Sequence, residues 1–179
     1  MRLLELRSKI AQKLREKIPG VTVIEFSGRF GEEEVSRQQA KLPAVFVGLL
    51  GGNNPKENGA GTSLSVQALA IVAARPIKGK TAGDVGLAFV EMAAQAVAGE
   101  DWDLDYVASG KNLRWENLYS AKLDGAGVQL HGLAWEHVFE VGTGVDESKL
   151  AAFLKEVNTW SLAESTPASD ATDEVQLPQ

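Results

Sequence analysis

The stretch from Asn112 to Val141 constrains the fold more than any other part of the chain. In "NLRWENLYSAKL", Leu113, Trp115, Tyr119, Ala121 and Leu123 share one face of a two-residue alternation, and Arg114, Glu116, Ser120 and Lys122 share the other. Successive side chains of a strand point to opposite faces, so this is the pattern of a strand with one buried face. "DGAG" supplies turn residues, and the chain returns through Val128 and Leu130, then Leu133, Trp135, Phe139 and Val141. The apolar phase slips by one residue near His131-Gly132. One extra residue restores the face, which predicts a β-bulge at that point. Pairing outward from the turn then sets Leu123 against Val128, Ala121 against Leu130, Tyr119 against Leu133, Trp115 against His137 and Leu113 against Phe139. His137 is thus expected beside Trp115 on the buried face, and His131 at the bulge.

Helices and further strands precede this hairpin. Leu3, Leu6, Ile10, Leu14 and Ile18 recur at helical steps and predict a helix over residues 3–18, stopped by Pro19-Gly20. "VTVIEF" (Val21–Phe26) reads as a strand, followed by a charged link with a helical turn around Glu32–Gln38. "LPAVFVGLL" (Leu42–Leu50) is nearly continuously apolar, as a central strand covered on both faces would be. Gly51–Gly61, rich in glycine, has neither a strand nor a helix pattern and is expected to be a long flexible loop. Thr62–Ala74 alternates as a strand, and Asp84–Ala98 reads as a helix with Val85, Phe89, Met92 and Ala96 on one face and Gly99 at its end. Ser148 to Ser161 carries a last helical stripe, Leu150, Phe153, Leu154, Val157 and Trp160. These elements predict an α+β fold: a mostly antiparallel sheet of about five strands, including a long bulged C-terminal hairpin, with helices packed on it.

A single domain over residues 1–162 is expected, followed by an acidic, polar tail over 163–179 that lacks the apolar residues needed for a core. The net charge is −6, and four carboxylates of that tail (Glu164, Asp170, Asp173, Glu174) account for most of it, leaving −2 for the first 162 residues. Nothing global marks a nucleic-acid binder. Cysteine is absent from the 179 residues, which excludes disulfides and thiolate metal sites. Glu5 and Arg7 interrupt any signal-peptide core, and the longest uncharged run, Asn58 to Ala74, is too short and too polar to cross a bilayer. These features predict a soluble intracellular protein with no membrane partner.

One stretch raises a chemical question. "AARPIKGKTAGDVG" places Gly79-Lys80-Thr81 between a strand and a helix, as a phosphate-binding loop would. Ala74, however, stands where such a loop opens with glycine, and Pro76 stiffens the turn. The helix is expected to start late, capped by Thr81 or Asp84, and the downstream hairpin is not the repeated βα unit of a nucleotide-binding enzyme. A small nucleotide-binding protein is therefore the least favoured reading. What remains is a basic patch of Arg75, Lys78 and Lys80. Lys9, Lys13 and Lys17 form a second basic stripe on the first helix, which carries six basic and two acidic residues. Asp101, Asp103 and Asp105 read as a solvated loop, and neither histidine has a metal-ligand spacing. No catalytic, metal or cofactor site is expected, and the chain is read as a non-enzyme.

The order of these elements resembles a known family. The amphipathic "LLELRSKIAQKLREKIPG" opening, "LPAVFVGLLGG" after a charged link, the strand ending in "AARP" before a helix, and the closing hairpin are together similar to the tail terminator (tail completion) proteins of tailed bacteriophages, the Mu-like type in particular. The resemblance covers residues 1–160. It implies an α+β virion structural protein, assembled in the host cytoplasm and located in the tail or neck. Such a protein forms a hexameric ring that caps the tail tube and joins it to the head connector, so the implied partners are copies of itself, the tail tube protein and the connector protein. DNA would pass the lumen without sequence specificity. The nearest alternative role is a head-completion or connector protein of the phage neck. The candidate subunit-contact loop is Asn53, Asn54, Pro55, Lys56, Glu57 and Asn58. The candidate basic contact surface is Lys9, Lys13, Lys17, Arg75, Lys78 and Lys80.

Overall fold

The computed structural model describes residues 1–28, 30–58, 61–118 and 120–141. The expected helix at 148–161 and the tail over 163–179 lie outside these residues. The chain runs α1 (Arg2–Lys17), β1 (Thr22–Glu25), α2 (Glu32–Arg37), β2 (Ala44–Asn58), β3 (Gly61–Ala74), α3 (Ala82–Val97), β4 (Lys111–Leu118), α4 (Ala121–Gly125) and β5 (Gln129–Val141). A short 3-10 turn, Gln39–Lys41, links α2 to β2. The strands form one sheet in the order β1-β2-β3-β5-β4. β1 runs parallel to β2, and every other pairing is antiparallel. The α+β class read from the sequence is the one observed.

Both faces of the sheet are covered, but unequally. On one face α1 and α3 bury Leu6, Ile10, Leu14, Val90 and Ala93 against Val45, Val47, Val66, Ala68, Val72, Leu133 and Trp135. On the other face a smaller cluster sits at one end, where Val35 of α2 and Leu123 of α4 meet Phe46, Ile71, Val128 and Leu130. Its aromatic part is Phe30, 5.1 Å from Phe46 and 5.3 Å from Phe26 between ring centroids. Gly48 of β2 keeps the Phe26 ring in place, because a Cβ there would come within 2.6 Å of it. This double coverage explains why Ala44–Gly48 is apolar without interruption and fully buried.

The phase slip at His131-Gly132 has a different cause from the one expected. β5 pairs with β3 without interruption from Gln129 to Val141, and β4 pairs across His131 and Gly132 in register. There is no bulge at that point. Val128 and Leu130 belong to the small cluster, whereas Leu133, Trp135 and Phe139 face the helices. The apolar set changes face because the buried side of the sheet changes along the strand. The irregularity lies instead in β4, between Lys111 and Arg114. Trp115 pairs with Leu133 and not with His137, and the observed partner of Leu130 is Leu118. Leu123 and Ala121 are not in a strand at all. Ser120 caps α4 by accepting the Leu123 amide at 3.3 Å, and this helical turn replaces the expected "DGAG" hairpin.

Gly51–Gly61 was expected to be a loop, and most of it is strand. β2 continues to Asn58 and β3 begins at Gly61, with irregularities between Leu49 and Gly51 and between Asn53 and Lys56. β3 is flanked on its other side by β5 up to Thr62 opposite Val141. Backbone pairing on both sides of β3 thus supplies the order that the glycine-rich sequence does not advertise.

Candidate assembly surfaces

The candidate contact loop is the far half of this β2–β3 arm. Asn53 to Glu57 are exposed, and Asn54 takes a left-handed φ of 51° beside the second irregularity. Within the arm the Ser63 hydroxyl donates to the Lys56 carbonyl at 3.4 Å. Backbone pairing holds the arm as strand, with Asn53 to Glu57 turned to solvent.

The basic residues divide into two groups. The registers Thr22↔Ala44 and Ala44↔Ala73 put the end of α1 and the end of β3 at the same end of the sheet, away from the arm. Lys17, Arg75, Lys78 and Lys80 are exposed at this end. Lys13 is different, since its ammonium pairs with Glu100 at 3.2 Å and so braces α1 against the segment after α3. Lys9 lies half-buried further along α1. Other cations of α1 are used within the molecule as well. Arg7 and Arg15 both reach Glu25 at the end of β1, at 3.1 and 3.5 Å. Arg2 lies 4.7 Å over the Tyr106 ring and donates to the Glu140 carbonyl. The helix is therefore less of a free basic stripe than its sequence suggests.

The turn at Arg75–Thr81 is built for its connection. Ile77 and Lys80 exchange backbone hydrogen bonds around Lys78 (φ 43°) and Gly79 (φ 80°), the left-handed pair of a tight two-residue turn. Thr81 then caps α3 as one of the two residues expected for that role. Its hydroxyl accepts the Asp84 amide at 3.1 Å, and its own amide donates to the Asp84 carboxylate at 3.2 Å. The Thr81 hydroxyl also donates to that carboxylate at 2.7 Å, and these bonds hold Asp84 below the usual carboxylate range. The hydroxyl that a phosphate loop would give to magnesium is thus committed to the helix cap.

A buried polar knot ties the α3–β4 connection to the sheet. Trp102 and Trp135 both donate their indole N–H to His137 Nε2, at 2.9 and 2.7 Å. Nδ1 of His137 donates to the Ala108 carbonyl at 2.8 Å, which fixes the neutral tautomer. Burial pushes the His137 pKa down, opposed in part by the bond to Ala108. Gly110 passes so close that a Cβ would lie 3.2 Å from the Trp135 ring. Trp102, Leu104 and Tyr106 are buried, whereas Asp101, Asp103 and Asp105 between them face solvent, as expected of those carboxylates. Tyr106 donates to Glu5 at 2.7 Å, and burial followed by this bond raises its pKa.

His131, not His137, is the partner of Trp115, with ring centroids 6.1 Å apart and planes 31° apart. Gly86 of α3 covers the other side of His131, and a Cβ there would collide with the imidazole. Neither ring nitrogen has a hydrogen-bond partner among the described residues, and burial lowers the His131 pKa. Trp115 remains 49% exposed, as an outer wall of this site. Of the remaining tryptophans, Trp102 and Trp135 are core, and Trp160 lies outside the described residues.

Against this geometry, comparison with known proteins gives one kind of likeness. No family model and no curated protein matches the chain. Among solved structures, a chain of the virion of a native gene transfer agent (GTA) particle matches with a TM-score of 0.50 and 14% identity, covering 76% of this chain and 95% of that chain. At that identity the likeness is one of fold. Among the described residues no helix is long and apolar enough to cross a membrane, and no group of three or more His, Cys, Asp or Glu could hold a metal ion.

Proposed function

We propose that this chain is a structural protein of a phage-like virion: a tail terminator whose copies form a ring, hexameric by its resemblance, that caps the tail tube and joins it to the head connector. The observation that carries this reading is the fold likeness to a chain of a gene transfer agent virion, which extends over 95% of that chain. The order of elements in the sequence supports the terminator role. The polar β2–β3 arm is a structured projection of the kind that reaches a neighbour in an assembly, with Asn53–Asn58 at its tip. Lys17, Arg75, Lys78 and Lys80 form a basic end, suited to a protein partner or to DNA passing through a ring without sequence specificity. In this role the chain works by contact and is not an enzyme.

Native mass spectrometry and negative-stain images test the ring. The expected result is a closed oligomer that co-purifies with tail tube protein. Co-purification with portal complexes alone would favour a head-completion or connector role, and monomers under every condition would overturn the ring. Thermal stabilisation by Mg-ATP or Mg-GTP, abolished by Lys80→Ala, would revive nucleotide binding; no shift is expected.

A further inference from the structure

His131 is a buried titratable side chain with nothing to bond. It is 2% exposed, and neither ring nitrogen has a hydrogen-bond partner among the described residues. Its surroundings therefore suit only the neutral imidazole. Gly86 of α3 closes one side, Val72 of β3 lies in register on a second, and the Trp115 ring of β4 covers the outer side. Among the described residues no charged group is bonded to the ring. β3 has no charged residue between Gly61 and Ala74. On β4, Arg114 and Glu116 flank Trp115 and alternate to the opposite face, and Lys111 pairs with Glu136 on that face. On β5, Glu136 and Glu140 alternate away in the same manner, and His137 is engaged by two indoles and the Ala108 carbonyl. On α3, Asp84 is held by Thr81 and Glu91 accepts from Gln95.

We infer that His131 is a proton-operated latch for β4: when its ring takes a proton, Trp115 and the strand that carries it come away from β5. An imidazolium has two N–H donors to satisfy, and the closed site offers an acceptor to neither. The route to water that breaks the fewest contacts runs outward, past Trp115. Inward, α3 is anchored by Val90, Ala93 and Val97 in the large core, and β3 and β5 are each paired on both sides. β4 has β5 as its one neighbour in the sheet, is exposed from Lys111 to Asn117, and is already irregular between Lys111 and Arg114. Such an edge belongs to the low-stability end of a fold. In the open form the ring meets water and binds protons as an ordinary histidine does, whereas burial lowers that affinity in the closed form. Below about pH 6.5 each further unit therefore favours opening by up to tenfold. The latch acts within one copy and is independent of the ring reading.

The test labels the tryptophans of the full chain with fluorine and follows their NMR resonances from neutral to mildly acidic pH, with Trp115→Phe to assign the one at issue. As pH falls, the Trp115 resonance is expected to move toward its position in the urea-unfolded chain, while those of buried Trp102 and Trp135 hold until the whole chain unfolds. His131→Leu, neutral at every pH, is expected to abolish the shift. A Trp115 resonance that moves equally in that variant, or only together with Trp102 and Trp135, overturns the latch. Should the variant not fold, imidazole nitrogen shifts of the wild-type chain decide. Trp115 must move where His131 gains its proton, and a His131 still neutral at that point overturns the latch as well.

Discussion

At the scale of single residues, two histidines show how one residue type serves different structural ends. His137 satisfies two indoles and a carbonyl at once, so removing it orphans two buried indole N–H groups, while the carbonyl of exposed Ala108 can turn to water. His137→Leu is expected to cost about 3 kcal/mol or more of unfolding free energy in urea, since each unsatisfied buried group costs roughly 1–3 kcal/mol. His131 has no such partners among the described residues, and its neutral form suits its apolar cover. Both folded-state pKa values are lowered. Above about pH 6.5 both rings are neutral in the folded and unfolded chains, and this stabilisation is complete. As pH falls below that value the unfolded chain takes up protons that the folded chain refuses, and stability declines. Urea midpoints at neutral and mildly acidic pH should therefore diverge, and His131→Leu should reduce the divergence.

At the scale of elements, the start of α3 and the β2–β3 arm make contrasting demands. The Thr81 cap is a local device, legible as Thr-x-x-Asp in the sequence. Thr81→Ala should lower stability by about 1 kcal/mol, typical of a lost N-cap, as read by thermal or urea unfolding. The arm is the opposite case. Its glycines, asparagines and proline favour a loop by composition, yet β3 is paired on both sides and holds it as strand. Replacing Asn53–Asn58 by a short turn removes exposed strand and leaves both apolar clusters intact. Its melting temperature should stay near wild type while ring formation is lost, as size-exclusion chromatography can show.

At the scale of the whole molecule, charge is arranged by position more than by amount. Lys17, Arg75, Lys78 and Lys80, exposed at the end of the sheet opposite the arm, coexist with a net charge of −6. If this basic end makes contacts in the assembly, raising salt from low to high ionic strength should weaken assembly, because exposed charges are screened over roughly 10 Å at 0.1 M salt. Sedimentation velocity across a salt series measures this, and assembly that does not weaken with salt would show that the basic end takes no part in it.

Local pattern was enough for α1, the helical turn of α2, a cap of α3 at Thr81 or Asp84, the alternation of β3, and hence the α+β class, whereas the phase slip of β5 pointed to a bulge that the pairing excludes. Each of these is written in residues close together in sequence. The candidate surface residues were legible only as types. Lys13 looked like part of an open stripe until Glu100, distant in sequence, was found beside it. Tertiary structure alone decided the register of β4 on β5, the strand character of the arm, and the exchange of partners between Trp115 and the two histidines. Its reason is common to all three. A period-two pattern tells which residues share a face, but it does not tell which face is covered at each point. Here the cover changes from α1 and α3 on one side to α2 and α4 on the other, part-way along the same strands.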